Sequence, residues 1–257
     1  MLKRIARRGA YVAADVVTLG RGIPRRVNGE TIRFAPSVAR YYPASYEPDT
    51  HEFIRRHTAP GSVAIDAGAH IGLFTVLMGR AVGAHGRVLS FEPTATTARL
   101  LRRTVTLNGL GAVVDCREEA VAGRRGFAEF FVDAHHTSNA NSFVRRPGAI
   151  GSVRVPTVTI DDLAAEAGRP VSCVKIDVEG AELDVLRGSA RTLAADRPAL
   201  TLDIHPAQLQ SCGGSVAEIW DLLVHAGYVP VDGAGALNRE AIVAREQIFE
   251  LHAVADA

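Results

Sequence analysis

Four short apolar runs in this chain, residues 62–66, 87–92, 172–177 and 199–205, each carry a carboxylate at or near their end: Asp66, Glu92, Asp177 and Asp203. Helical patterns follow them, the clearest being Leu73, Phe74, Leu77, Met78 and Ala81, which share one face at helical spacing. Short buried strands alternating with helices make a mainly parallel sheet covered on both faces. In open sheets of that kind, ligands bind outside the carboxyl ends of the strands. The pattern therefore predicts an α/β fold whose chemistry lies where the four acids gather.

Upstream, residues 1–58 read as an N-terminal extension. It comprises a basic helix, a Gly/Pro turn over 20–24, a hairpin over 27–34 and a helix over 49–57. Residues 59–257 read as the main domain. There, a helix opened by Pro93 runs to about Leu107, where Asn108-Gly109 stops it. A third strand covers 112–116. The rhythm then breaks, and strands over 127–132 and 153–159 flank the polar segment 135–142 as a hairpin or lid insertion. A helix begins at Asp161 and Asp162, others cover 181–193 and 215–227, and strands lie near Tyr228 and over 247–253.

Composition narrows the function classes. With 257 residues, 47% hydrophobic and 22% charged, the chain has the apolar share of a packed domain, which excludes a disordered one. Twenty-nine basic against 28 acidic residues leave a formal charge of +1, so no overall field invites nucleic acid. Cys116, Cys173 and Cys212 stand far apart with no C-x-x-C pair. That argues against disulfides and a zinc site, and fits a reducing cytoplasm. No 18-residue apolar run offers a membrane span. The start of the chain, with Asp15 inside its weakly apolar stretch, does not read as a secretory leader. Val12, Val16 and Leu19 offer an apolar stripe to a second subunit, a homo-oligomer being the corresponding partner. The lysines are Lys3 and Lys175 alone; a chain that otherwise uses arginine for plain positive charge makes Lys175 a candidate functional residue.

Three motifs carry chemistry. In DAGAHIG (66–72), Gly68 permits a sharp turn and the helix start at Gly72 offers free N–H groups. Glu92, ending the next strand, is positioned to accept hydrogen bonds from a ribose. A dinucleotide site would want G-x-G-x-x-G, and Asp66 would set negative charge beside a pyrophosphate. The acid suits a ligand with amino and hydroxyl donors, as in S-adenosylmethionine, which adds a positive sulfonium. In VKIDVEGAE (174–182), strand alternation turns Lys175, Asp177 and Glu179 to one face, and charge buried in a central strand needs partners. TLDIHP (201–206) repeats the device with Asp203 and His205. A histidine at a strand tip is suited to take a proton from a substrate hydroxyl.

The blocks AIDAGAHIGLFT (64–75), FEP (91–93) and VKIDVEGAELDVLRG (174–188) make the chain resemble the FkbM-type methyltransferases of the class I S-adenosylmethionine-dependent group. SYEPD around Glu47, VTIDDL and TLDIHP support the likeness, which runs from about Tyr41 to the C-terminus. The visible departure is His70, where the family pattern usually carries Asn. The resemblance implies a Rossmann-like class I methyltransferase fold: a mainly parallel seven-stranded sheet with helices on both faces. It also implies methyl transfer from S-adenosylmethionine to an oxygen of a sugar, glycan or polyketide-like natural product. Carried over by position, Asp66, Gly68 and Gly72 line the methionine end, with Glu47 in the same set and His70 near the cofactor carboxylate. Glu92 holds the ribose hydroxyls, Glu118 or Glu119 meets the adenine amine, and Asp177 and Glu179 face the reactive end.

For catalysis the expected set is His205, Asp177, Glu179 and Lys175, with His205 as base and Asp177 as the alternative. A divalent ion between the strand-tip acids Asp177 and Asp203 is conceivable, but no local ligand signature supports it, and no metal is expected. The segment 135–142 with Tyr41, Tyr42 and Tyr46 is the expected acceptor pocket. Two other classes compete. An NAD-dependent or nucleotide-sugar oxidoreductase would want the absent G-x-G-x-x-G and a Y-x-x-x-K pair. A non-catalytic binding module would not need Asp66, Glu92 and Asp177 all intact.

Overall fold

The computed structural model describes residues 18–133, 149–232 and 235–256. The basic N-terminal helix with Val12 and Val16, and the polar segment 135–142, lie outside the described residues. The hairpin at the start pairs β1 (Ile23–Val27) with β2 (Glu30–Phe34) across Asn28-Gly29. Helix α1 (Pro48–His57) opens with proline at its first turn, where a missing N–H costs nothing. There follow β3 (Val63–Ala67), α2 (Leu73–Val82), β4 (Arg87–Phe91), α3 (Ala95–Leu107), β5 (Val114–Arg117), β6 (Ala120–Val121), β7 (Gly126–Asp133) and β8 (Ala149–Val158). The second half runs α4 (Ile160–Ala167), β9 (Val171–Ile176), α5 (Glu182–Arg187), α6 (Ala190–Ala195), β10 (Ala199–Ile204) and α7 (Pro206–Ser211). It closes with α8 (Val216–His225), β11 (Tyr228–Asp232), β12 (Gly235–Ala236), α9 (Arg239–Val243) and β13 (Phe249–Ala255).

The main sheet has the order β12-β11-β13-β10-β9-β3-β4-β5. Strands β10, β9, β3, β4 and β5 are parallel, while β13 runs antiparallel to both β10 and β11. The sheet thus has eight strands rather than seven, because the two-residue β12 folds back antiparallel on β11. Alternate residues of the central strands feed different cores. Ile65, Leu89, Ile176 and Leu202 pack with Leu163, Leu186 and Leu223 on one face. Ala64, Val88 and Cys173 pack with Ile54, Leu77, Leu101 and the hairpin's Val27, Ile32 and Phe34 on the other. Helices therefore cover both faces, as period-two alternation in a buried strand demands. Among the described residues, no helix is long and apolar enough to cross a membrane.

Strands β7 and β8 form the expected hairpin, and with β6 they make a separate three-stranded sheet in the order β6-β8-β7. The single helix expected over 181–193 is instead two, α5 and α6, interrupted at Gly188-Ser189. Gly188 lies against the backbone of Ala122 and Gly123, where a Cβ would meet Ala122 O at 2.7 Å. The Ser189 hydroxyl donates to Leu186 O at 2.7 Å. Close backbone approach and a side chain competing for a helix carbonyl together turn the chain there.

Candidate active site

Strands β3, β4 and β5 step outward in one direction, and β9 and β10 in the other. The sheet's switch point is therefore between β3 and β9, where the carboxyl ends of diverging strands leave a crevice. The turn after β3 is sewn across that crevice. Gly68 N–H and Ala69 N–H both donate to Phe91 O, at 3.0 and 2.8 Å, and Asp177 N–H donates to Ala67 O at 2.9 Å. Gly68 holds φ 84° with Asp177 O so close that an added Cβ would stand 1.8 Å from it. Only glycine permits this approach.

A cavity of about 780 Å³ opens at these strand ends. Its lining includes Asp66, Gly68, His70, Glu92, Glu119, Lys175, Asp177 and Glu179 from the expected set, and also Phe74, Phe130 and Val178. Five of the lining groups are carboxylates and one is an ammonium. Tyr42 and Tyr46 also line it and meet edge-to-face with ring centroids 4.8 Å apart; Tyr41 stands 4.9 Å from His70. Phe130 belongs to a small apolar cluster with Ala120 and Val155. Its contribution comes from the alternation of β7, visible in sequence only once that strand is known to face the sheet's open end.

Strand register arranges the charges. Asp66 on β3 is the cross-strand partner of Lys175 on β9, and Thr201 of β10 lies on the other side. The Lys175 ammonium donates to Asp177 Oδ2 at 3.0 Å and lies 5.2 Å from the Phe74 ring. Burial opposes its charge, but Asp177, Asp203, Asp66 and Glu47 outweigh burial and hold it protonated. Asp66 is fully buried; Thr75 donates to its Oδ2 at 2.5 Å, while Oδ1 has no hydrogen-bond partner among the described residues. Burial raises its pKa, offset in part by Lys175 and Thr75. Glu92 accepts from Thr94 N–H at 2.9 Å, and burial pushes it up to about 7.

His205 sits just behind the cavity wall. Its Nδ1 donates to Glu182 Oε1 at 2.9 Å, and Nε2 lies 3.5 Å from Glu179 Oε2 and 4.0 Å from Asp177 Oδ1. Glu182, wholly buried, accepts in turn from Gly180 N–H at 2.8 Å. Burial favours the neutral ring, but the bond to Glu182 and the charges of Glu179 and Asp177 prevail and raise it to about 9. The imidazole therefore carries a proton at neutral pH. Burial and the Asp177 charge push Asp203 well above the usual carboxylate range.

Other expected residues lie apart from the lining. Glu47 reaches the cavity through the Tyr46 hydroxyl, which bonds to it. Gly72 caps α2 and makes room for Leu101, whose Cδ1 would lie 2.8 Å from an added Cβ. Glu118 accepts from Arg102 at 2.5 Å, at the edge of β5. Sequence reasoning missed Glu182, although it ends the EGAE segment and is the first residue of α5. It also missed that Glu47, His70 and Glu179 all adopt left-handed backbone, at φ 42°, 51° and 55°. Non-glycine residues held there cluster at functional sites.

Comparison with known proteins gives a consistent picture. The signature of the family described as "Methyltransferase FkbM domain" matches residues 66–230. The AMB antimetabolite synthetase AmbE of Pseudomonas aeruginosa is 29% identical over 204 residues, covering 66% of this chain and 10% of that protein. Methyltransferase 1 of Beauveria bassiana is 30% identical over 145 residues, covering 49% of this chain and 58% of that one. The chain thus spans only part of the length of the curated relatives it matches. The crystal structure of Methyltransferase FkbM from Methylobacillus flagellatus aligns with a TM-score of 0.46 at 16% identity, over 79% of this chain and 50% of that one.

Proposed function

The chain belongs to the FkbM methyltransferase family, and from that premise we propose that it transfers a methyl group from S-adenosylmethionine to a hydroxyl oxygen of a small-molecule or glycan acceptor. The observation that carries this reading is the donor set of the cavity. Five carboxylates face one ammonium, and the buried Asp66 Oδ1 has no protein partner among the described residues. Such a lining favours a ligand bringing ammonium, hydroxyl and sulfonium groups, and repels a pyrophosphate. The left-handed turns at His70 and Glu179 border the same space.

When bound, S-adenosylmethionine supplies a methyl group on a positive sulfur that departs as a neutral thioether. Asp66 would hold the ammonium and Glu92 the ribose hydroxyls. Of the two candidates for the adenine amine, the lining supports Glu119, beside Phe130; Glu118 is engaged by Arg102. Tyr46 and Phe74 offer ring faces suited to a cation. Lys175 fixes Asp177 by one oxygen and leaves the other toward Glu179 and His205. The acceptor hydroxyl loses its proton to that group of three. With His205 already protonated at neutral pH, Asp177 is the receiving atom, and His205 serves only when its own proton has left. Alignment of the reactants contributes on the order of 7–11 kcal/mol, and the proton acceptor roughly 10²–10⁴-fold.

Calorimetric titration with S-adenosylhomocysteine tests the reading, with NAD as comparison. Saturable binding of S-adenosylhomocysteine that Asp66→Asn weakens at least tenfold is the expected result. Binding of NAD instead, or binding indifferent to Asp66, overturns it.

A further inference from the structure

Three side chains from two neighbouring strand ends converge on one point. Asp177 and Glu179 follow β9, and His205 follows β10, its parallel neighbour. One oxygen of each carboxylate and a ring nitrogen of His205 all lie within 4.8 Å of one another. The Nε2 separations of 3.5 and 4.0 Å are longer than good hydrogen bonds. The shorter matches the roughly 3.4 Å between adjacent ligands set about 2.1 Å from a common tetrahedral ion, and the longer needs to close by only about half an ångström.

The atoms behind these three are arranged to aim them. His205 Nδ1 faces both Glu182 Oε1 at 2.9 Å and the backbone carbonyl oxygen of Asp203 at 3.1 Å; a carbonyl only accepts, so Nδ1 carries the hydrogen and Nε2 is the lone-pair atom of the neutral ring. A buried carboxylate behind a histidine in this way orients the ring and raises its strength as a ligand. Glu182 is itself oriented by Gly180 N–H. Asp177 gives Oδ2 to the Lys175 ammonium and turns Oδ1 toward the cluster. Glu179 is carried into place by its left-handed backbone at φ 55°. Around the point stand Asp177, Glu179, Glu182 and Asp203, with Lys175 and His205 as the cations beside them.

We propose that Asp177, Glu179 and His205 form a binding site for one divalent cation, with positions left open toward the cavity. One imidazole with two carboxylates and no thiolate suits a first-row divalent ion such as Mn²⁺ or Zn²⁺. The use of the site rests on the methyl-transfer reading: a cation there would lower the pKa of a hydroxyl oxygen held beside it, so that its proton leaves to solvent as the oxygen takes the methyl group. Its existence does not rest on that reading.

The test is calorimetric titration of the full chain, freed of metal with EDTA and dialysed, with Mn²⁺ alone and no cofactor or acceptor. The expected result is one ion per chain. Affinity should fall at least tenfold in Glu179→Gln and in His205→Gln, and by about 10–100-fold in Glu182→Gln, which keeps the shape but not the charge behind Nδ1. Glu179 is less buried than His205 or Glu182, and a melting curve of Glu179→Gln matching wild type shows that this variant folds. Absence of saturable Mn²⁺ binding, or unchanged affinity in Glu179→Gln, overturns the site. Parallel titration with S-adenosylhomocysteine separates the two failures. Loss of metal binding with cofactor binding intact rejects the cation site alone, and the converse rejects the methyltransferase reading alone.

Discussion

Replacing Gly68 by alanine tests the geometry on which the whole site depends. The new Cβ would stand 1.8 Å from Asp177 O, whereas real Cβ contacts essentially never fall below 3.0 Å. The ends of β3 and β9 would have to separate by at least 1.2 Å, the difference between those two distances. That moves Asp66 and Asp177 apart and strains the bond from Asp177 N–H to Ala67 O. The left-handed backbone costs about 1–2 kcal/mol for alanine and the overpacking about 1–3 kcal/mol more. For a chain of this size the sum lowers the melting temperature by roughly 4–20 °C. Gly109→Ala is the internal control: φ there is 72°, but an added Cβ meets nothing within 4 Å. It carries the backbone cost alone. Thermal melts and S-adenosylhomocysteine titrations of both variants are the assay. Gly68→Ala should lose more than Gly109→Ala in stability, and at least tenfold in affinity where Gly109→Ala loses none. Equal melting points with affinities within twofold would refute the claim that this contact sets the site.

Other consequences follow from the charges. Glu92, raised to about 7 by burial, accepts from ribose hydroxyls best when ionised. S-adenosylhomocysteine should therefore bind about tenfold more tightly at pH 8 than at pH 6, with the step absent in Glu92→Gln. The same shift makes Glu92 reduce stability as pH rises from its unfolded value near 4.5 through 7, because the folded chain holds the proton longer. Denaturation of wild type and Glu92→Gln across that range measures it. Lys175→Met leaves Asp66 and Asp177 without their buried cation and should cost about 3–5 kcal/mol, read as a melting point lower by roughly 6–20 °C. Glu119→Gln should weaken S-adenosylhomocysteine binding several-fold, while Glu118→Gln, at an exposed ion pair, stays within about 0.5 kcal/mol of wild type in stability and leaves affinity unchanged.

Much of this molecule is legible in its sequence, because the governing signals are local. The apolar runs at residues 62–66 and 172–177 mark buried strands, and alternation in the second places Lys175 and Asp177 on one face. Gly68 and Asn108-Gly109 mark turns by backbone geometry that belongs to the residue itself. Parallel strands separated by helices have few ways to assemble, so the acids at their ends could be assigned to one crevice before any coordinates existed. Resemblance in the 64–75 and 174–188 blocks carried the assignment further, to a family.

What the tertiary structure decided are matters of register and approach between segments distant in the chain. Asp66 faces Lys175 because β3 and β9 pair at that register, and a slip would turn the same residues into opposite cores. Glu119 lines the cavity and Glu118 does not, because Arg102 on α3 captures the latter. Residues 181–195 break into two helices because Gly188 presses on a backbone 65 positions upstream, at Gly123. His205 reads as a base in isolation, yet Glu182, Glu179 and Asp177 surround it and hold its proton. A one-dimensional pattern specifies which face a side chain takes within its own element. The partners it meets there depend on how elements pack, and the protonation of a buried group depends on those partners.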